Sequence, residues 1–444
     1  MDRSQSQSTV PQGTGRALLH AYGQALLYVR IGQLLTALQE SEIMPKPFEG
    51  EPHKFFIPLL GSLVAFGPMS IDMYLPALPA IAKDLGASQA QMQHSLSAFF
   101  FGFCIAMLIY GPISDVIGRR KLLIAGLMIF VCSSFTLAFA PNAELFVFLR
   151  FTQAFGSAAA IVMARAIARD CYHPKTLPRV MSLMTLVTMV APLAAPIIGG
   201  YVLYFASWRA IFITLTIIGL LAFCIIIFVL PETLRETEDD KGIILTSFKN
   251  YITLIKSPSD MGIIGVFAFS FGAMFAFIAG SPFVYIEYFK VPEQYYGYLF
   301  LLNVLGMIAM LVLNMKLLKK YKLRKIILFQ TSFQLISGIL LFIFNESNLT
   351  TIVVCIVLFI SMTNALGANS LSLLLSQRGE MAGSATSLAV SSQFALGCLA
   401  SYLVSILQDD TPFAMTLIML ILAFISFIHQ FMIRRDTPDE KQTN

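Results

Sequence analysis

Apolar residues run through this chain in blocks of about 20, the length that crosses the hydrocarbon core of a bilayer as a helix, and polar breaks separate the blocks. They fall at 55–79, 93–113, 122–139, 144–167, 180–205, 209–230, 261–288, 295–315, 326–344, 349–374, 384–407 and 412–433, and each predicts one spanning helix. The long polar stretch 231–260 lies between the sixth and seventh blocks, so the spans divide six and six. The sequence thereby predicts an all-α polytopic membrane protein. Its parts are an N-terminal extension over 1–54, a first six-helix bundle over 55–230, a central loop over 231–260, a second bundle over 261–433 and a tail over 434–444.

The breaks also carry orientation. One set of alternate breaks holds Arg119, Arg120, Lys121, Arg165, Arg169, Lys175, Arg179, the lysines of the central loop, the 316–325 cluster and Arg378. The other set holds only Lys83, Arg209 and Lys290. Basic loops stay in the cytoplasm, so both termini are expected there, in a bacterial inner membrane. Within 1–54, the run AYGQALLYVRIGQLLTALQ is helical in character but is interrupted by Arg30 and several Gln. It suits an interfacial amphipathic helix, and a start of translation at Met44 is the alternative.

Composition agrees with the membrane assignment. Charged residues make up 12% of the 444 and hydrophobic ones 57%, and mean hydropathy is +0.75, where soluble chains carry roughly a quarter charged residues. The net charge of +5 follows from the topological bias, and no nucleic-acid partner is needed to explain it. Six cysteines lie scattered without a CxxC spacing and read as packing residues, so no metal site is expected. No HExxH, GxSxG or Walker A pattern occurs, which argues against an intramembrane enzyme and a self-contained ATP-driven pump.

The tight break GPISDVIGRRK, with Gly111, Asp115, Gly118, Arg119 and Arg120, resembles the signature loop between spans 2 and 3 of the major facilitator superfamily; Val116 stands where that family often has a basic residue. The resemblance implies two six-helix bundles about a pseudo-two-fold axis along the membrane normal. A faint internal repeat fits, since LLKKYKLRKII laid on PISDVIGRRKL puts Arg324 and Lys325 on Arg119 and Arg120. It also implies a gate: Asp115 would meet the positive N-terminal end of span 11 near Ala382–Thr386, and Arg119 or Arg120 would pair with Glu232.

Ionisable residues inside spans are costly and point to function. Asp72 lies in SIDMYLPALP, which resembles the DMYLPALP signature of the bicyclomycin and chloramphenicol resistance (Bcr/CflA) branch of twelve-span drug:proton antiporters. A partly desolvated carboxylate there suits a reversible proton carrier. The alternative is a solubilising charge in the headgroup zone. Arg150, with Gln153 and Gly156, resembles the span 4 motif of the superfamily. Guanidinium does not deprotonate, so Arg150 is expected to act on a nearby carboxylate rather than carry the proton, unless it merely snorkels to an interface. Span 5 contains APLAAPIIGGYV, which resembles the antiporter motif of exporting families in Pro196, Gly199 and Gly200; with Pro192 these residues would let the helix bend and rock.

For the cargo cavity the candidates are Met69, Tyr74, Met163, Met189, Phe271, Met274 and Phe275 as an adaptable apolar lining, and Gln153, Asn303, Asn364 and Asn369 as hydrogen-bonding groups. Together these readings lead to the expectation of a proton-driven exporter of drugs or small amphiphiles, without any cofactor beyond the proton gradient. Its partners would be small-molecule substrate, protons and membrane lipid, and it would act as a monomer. A dedicated metabolite or siderophore exporter or symporter of the same superfamily is the alternative.

Overall fold

The fold is taken from a computed structural model that describes residues 56–173, 175–234 and 240–433. The N-terminal extension, the Met44 start and the tail lie outside the described residues. Among those described, the chain is all-helical, and helices long and apolar enough to cross a membrane occur at Phe56–Asp84, Gln89–Ile117, Arg119–Leu137, Ala143–Cys171, Leu177–Phe205 and Trp208–Val229. A second set follows at Pro258–Tyr288, Glu293–Leu317, Leu323–Ile343, Leu349–Gln377, Gly379–Ile406 and Phe413–Met432. These are spans 1–12.

Several helices begin before their apolar blocks because polar residues cap them. Ser88 accepts from the main-chain N–H of Gln91, whose side chain in turn accepts from the N–H of Ser88, and this reciprocal cap starts span 2 at Gln89. Asn142 caps span 4 one way only, accepting from the N–H of Leu145, and Asn348 does the same for span 10 through Thr351, there at the very start of the apolar block. Within the central loop, where the sequence suggested only a connection, a helix runs over Asp240–Lys256. We call it the linker helix.

Span 1 is discontinuous. Its helix ends at Val64, resumes over Phe66–Asp72, tightens to a 3₁₀ turn at Leu75–Ala77 and continues over Leu78–Asp84. Proline has no N–H to bond the carbonyl four residues back, so Pro68 and Pro76 leave the carbonyls of Val64 and Asp72 without that bond, while the Leu75 carbonyl, four residues before Pro79, accepts instead from the Leu78 N–H in the 3₁₀ turn. The break expected from Tyr74, Pro76 and Pro79 therefore begins immediately after Asp72.

The two bundles meet mainly where span 2 packs on span 11 and span 5 on span 8. Span 5 packs closely on two sides through a glycine pair, on span 1 within its own bundle and on span 8 across the seam. A Cβ on Gly199 would run into the Met73 carbonyl of span 1, next to Asp72, and one on Gly200 would lie 3.2 Å from the Glu293 carbonyl of span 8. The 111–121 turn, the linker helix and the Arg and Lys clusters all lie at one end of the bundle, here termed the basic face.

Candidate functional site

Gly118 ends span 2 and begins span 3 at φ 103°, ψ 149°, backbone that residues with a side chain rarely adopt. The space a Cβ would take is filled by the Glu232 carboxylate, 2.5 Å away. Gly118 offers no side-chain cap, so Glu232, from the end of span 6, reaches over to do it: its carboxylate accepts from the N–H groups of Arg119 at 2.9 Å and Arg120 at 3.2 Å. The sequence reading had the right residue and the wrong donors. Glu232 meets main chain rather than guanidinium, because the helix N-terminus is itself the positive group. The Arg120 side chain instead donates to the Ile227 carbonyl at 2.8 Å.

The Arg119 guanidinium is held between two carboxylates, Asp115 at 2.5 Å and Asp170 of span 4 at 3.0 Å, and also donates to Ser114. In this state the charge of Asp115 is therefore neutralised within its own turn. It faces the first turn of span 11, with Gly383, Ser384 and Thr386, across a cavity of about 270 Å³. The expected meeting of Asp115 with that helix end is a matter of facing across open space, not of contact.

That cavity opens at the basic face between spans 2, 4 and 11, and the linker helix roofs it with Ser247, Asn250 and Tyr251. Tyr251 donates to the Leu108 carbonyl at 3.1 Å, and Asn250 to Ser384 at 3.4 Å, so this helix ties both bundles together over the opening. Burial pushes the Tyr251 phenol up, with Ser387 partly offsetting it, which keeps it a neutral donor. The cavity reaches Met107 and Val390 and stops one turn deeper. There Phe100 and Phe103 of span 2 meet Phe275 and Phe394 of spans 7 and 11, with ring centroids 4.4 Å apart in the Phe100–Phe275 and Phe103–Phe394 pairs.

Beyond this aromatic plug lies a second cluster. Arg150 is fully buried without a carboxylate partner: its guanidinium stacks on Tyr74 at 4.1 Å and Phe99 at 4.4 Å and donates to Gln153, leaving Nε and Nη2 without partners. Snorkelling is thereby ruled out. Asp72 is 3% exposed, and its Oδ1 has no hydrogen-bond partner. It lies within electrostatic reach of Tyr74 and of Tyr296 in span 8 and forms no ion pair with Arg150. The two residues share one cluster through Tyr74, which the sequence could not tell.

The opposite face is closed by a relay of amides between the bundles. Gln93 of span 2 donates to Gln408 at 2.6 Å, Gln408 donates to Gln89 at 2.5 Å, and Gln89 donates to Glu287 at the end of span 7. Tyr201 and Tyr298 add a hydroxyl pair at 3.0 Å between spans 5 and 8. None of this relay was read from the sequence, where isolated glutamines near span ends carry no signal.

None of the eleven candidate cargo residues lines the described cavity. Tyr74 and Gln153 attend Arg150, and Phe275 belongs to the plug. Met163 is fully buried, while Met69, Met274 and Phe271 lean on the core. Asn369 is locked with Asn314 and Gln330 in a buried amide triad at 2.9–3.1 Å that joins spans 8, 9 and 10. Asn303 spends its amide on the Leu299 carbonyl, and Met189 and Asn364 are half-buried elsewhere. In span 5, Pro192 and Pro196 lie inside the helix, which stays continuous through both.

Comparison with known proteins agrees with this architecture. The sequence model of the Major Facilitator Superfamily matches residues 60–402. A bicyclomycin resistance protein homolog from Haemophilus influenzae is 34% identical over 358 residues, 80% of this chain and 90% of that one. The multidrug resistance protein MdtL of Shewanella oneidensis is 37% identical over 171 residues, 38% of this chain and 43% of that one. Among solved structures, a D-xylose–proton symporter aligns with TM-score 0.67 at 15% identity, covering 87% of this chain and 98% of its own. A bacterial homolog of the lysosomal transporter Spinster aligns at 0.69 and 14%, covering 86% and 98%; at such identities the likeness concerns the fold. The chain is a membrane transporter that belongs to the major facilitator superfamily, and its relatives place it with the Bcr/CflA branch of twelve-span drug:proton antiporters.

Proposed function

We propose that this protein exports small amphiphilic drugs from the cytoplasm across the bacterial inner membrane in exchange for protons. The observation that carries the reading is Asp72: a buried carboxyl group with an unpartnered oxygen, at a proline-made break, on the seam between the bundles. An unpaired carboxylate in dry surroundings costs several kcal/mol, which a protonated acid avoids. The resistance proteins among the relatives favour drugs as cargo.

In this reading the basic face is cytoplasmic, and the state described is closed outward, with its inward cavity stopped at the plug and Asp72 protonated behind it. Loss of the proton to the cytoplasm creates an anion beside a buried Arg150 whose Nε and Nη2 lack partners, and attraction draws the two together. Arg150 also stacks on Phe99, which stacks on Phe103 of the plug at 5.6 Å. Recruiting Arg150 to Asp72 therefore disturbs the plug, and this coupling links deprotonation to passage of cargo. A proton descending 100 mV supplies about 2.3 kcal/mol per cycle before any pH gradient is counted.

The test uses inside-out vesicles with an acid interior. A pH-sensitive dye follows proton efflux as phenicols, bicyclomycin, dyes and siderophores are added in turn, with wild type beside Asp72→Asn. Drug-triggered release that disappears in the variant supports the reading. Silence for drugs with a response to a siderophore makes the protein a dedicated carrier, and release that survives Asp72→Asn moves the proton to another residue.

A further inference from the structure

The cavity at the basic face holds charges that the coupling mechanism leaves unused. Arg165 and Arg169, one turn apart on span 4, both line it and both are water-accessible. Neither has a hydrogen bond or ion pair among the described residues. Like charges at this spacing repel one another, so a chain that keeps them together without a counter-ion leaves a place for one. The neighbouring carboxylates do not serve: Asp115 and Asp170 both bind Arg119. Glu380 lies on the far wall, in the 3₁₀ turn that opens span 11, and pairs with neither arginine.

The rest of the lining is of the same character. The first α-helical turn of span 11, from Ala382, enters the cavity with no side-chain cap on its N-terminus, and Ser247, Ser384 and Ser387 supply neutral donors. The apolar part, Met107, Ile161 and Val390, lies deeper, towards the plug. A ligand that satisfies this arrangement has an apolar body directed inward and one acidic group left near span 4.

We infer that Arg165 and Arg169 form an anion-selecting subsite, so that the preferred cargo is an amphiphile carrying one negative group such as a carboxylate, phenolate or phosphonate. This rests on the reading that the cavity receives cargo. It says which cargo, and it assigns the two arginines a role in specificity rather than in proton coupling. Guanidinium suits the task because its planar fork matches a carboxylate or phosphonate with two parallel hydrogen bonds.

The test is equilibrium binding without any gradient, so that it does not depend on Asp72. The protein in nanodiscs of neutral lipid is titrated with two xanthene dyes of similar size, anionic fluorescein and cationic rhodamine 6G, and followed by anisotropy. Wild type is expected to bind fluorescein at least tenfold more tightly than rhodamine 6G. Arg165→Gln and Arg169→Gln should each weaken fluorescein about tenfold, which is about 1.4 kcal/mol, leave rhodamine 6G unchanged or tighter, and abolish the salt dependence of the difference. Arg165→Lys should recover part of the loss. Equal affinity for the two dyes, no fluorescein binding by wild type, or an equal shift of both dyes in the variants overturns the inference. So does an unchanged fluorescein isotherm in Arg165→Gln with transport lost in both that variant and Glu380→Gln, which would make Arg165 a closing contact for Glu380. Any of these results leaves the drug:proton test standing on its own.

Discussion

Gly118 and Glu232 occupy the same space, and this makes their contributions inseparable in a measurable way. Replacing Gly118 with Ala holds a side chain at φ 103°, a strain of about 1–3 kcal/mol. It also drives a methyl group into the Glu232 carboxylate, displacing the cap from the start of span 3. Two charge-assisted bonds to main-chain N–H groups and the favourable helix end are together worth about 2 kcal/mol, so Gly118→Ala should cost about 4 kcal/mol in total. Glu232→Ala alone should cost about 2 kcal/mol. Once the carboxylate is gone the methyl has room, so the double variant should also cost about 4 kcal/mol rather than the 6 expected of independent sites, a coupling of about 2 kcal/mol. Reversible unfolding in mixed detergent and SDS measures this, read through the single tryptophan, Trp208, which is buried against Phe146 and Phe212. Additive losses would refute the reasoning, because the cap and the glycine would then be independent.

Other perturbations have equally definite outcomes. Arg150→Lys keeps the charge and loses the planar stack on Tyr74 and Phe99, contacts worth about 0.5–2 kcal/mol each; drug-driven proton flux should fall more than tenfold while the variant still inserts, and near-normal flux would remove Arg150 from the mechanism. Gly199→Val drives a branched side chain into the Met73 carbonyl, so size-exclusion chromatography should show little monodisperse protein, whereas Gly200→Ala, with more space, should fold. Asn369→Leu strands Asn314 and Gln330 in the second bundle and should lower stability by about 1–2 kcal/mol in the same unfolding assay, without altering dye binding at the basic face. Tyr201→Phe, at an exposed hydroxyl pair, should change stability by less than about 0.5 kcal/mol, and a larger loss would show that this pair helps hold the seam.

How much was legible follows from the range of each interaction. The span count came directly from apolar block length, because bilayer thickness fixes it. The ends did not, because caps such as Ser88 and Asn142 lie outside the apolar blocks. The linker helix was missed although Leu245, Phe248, Ile252 and Ile255 recur at helical spacing and form an exposed apolar face; a flanking polar stretch made the segment read as a loop. Asp72 and Arg150 stood out because charge is rare within apolar blocks, and the 111–121 turn because Gly, Asp, Gly and paired Arg seldom occur together in so short a break. Their partners were not found, because nothing in a sequence with 38 phenylalanines singles out Phe99 as the ring beneath Arg150. The candidate cargo residues lie away from the cavity at the basic face for a related reason. Aromatic residues were expected to face the ligand, yet here they fill the plug, and short polar residues with two arginines are left to line the opening.

The two ends of the seam differ in kind, and the difference bears on how a proton could drive the cycle. At the opposite face the bundles are joined by the glutamine relay and by a tyrosine pair, where each hydrogen bond contributes a net 0.5–1.5 kcal/mol or so. Most of these bonds would be exchanged for bonds to water on opening, so they contribute only a few kcal/mol to the closure. One proton per 100 mV supplies about 2.3 kcal/mol, which is the same scale. A closure built from the plug alone would be stronger, since burying several rings is worth far more than one proton provides. On the proposed coupling, the plug therefore has to be loosened from within, through Arg150 and Phe99, before the outer relay can yield, and the order of events follows from the relative sizes of the two barriers.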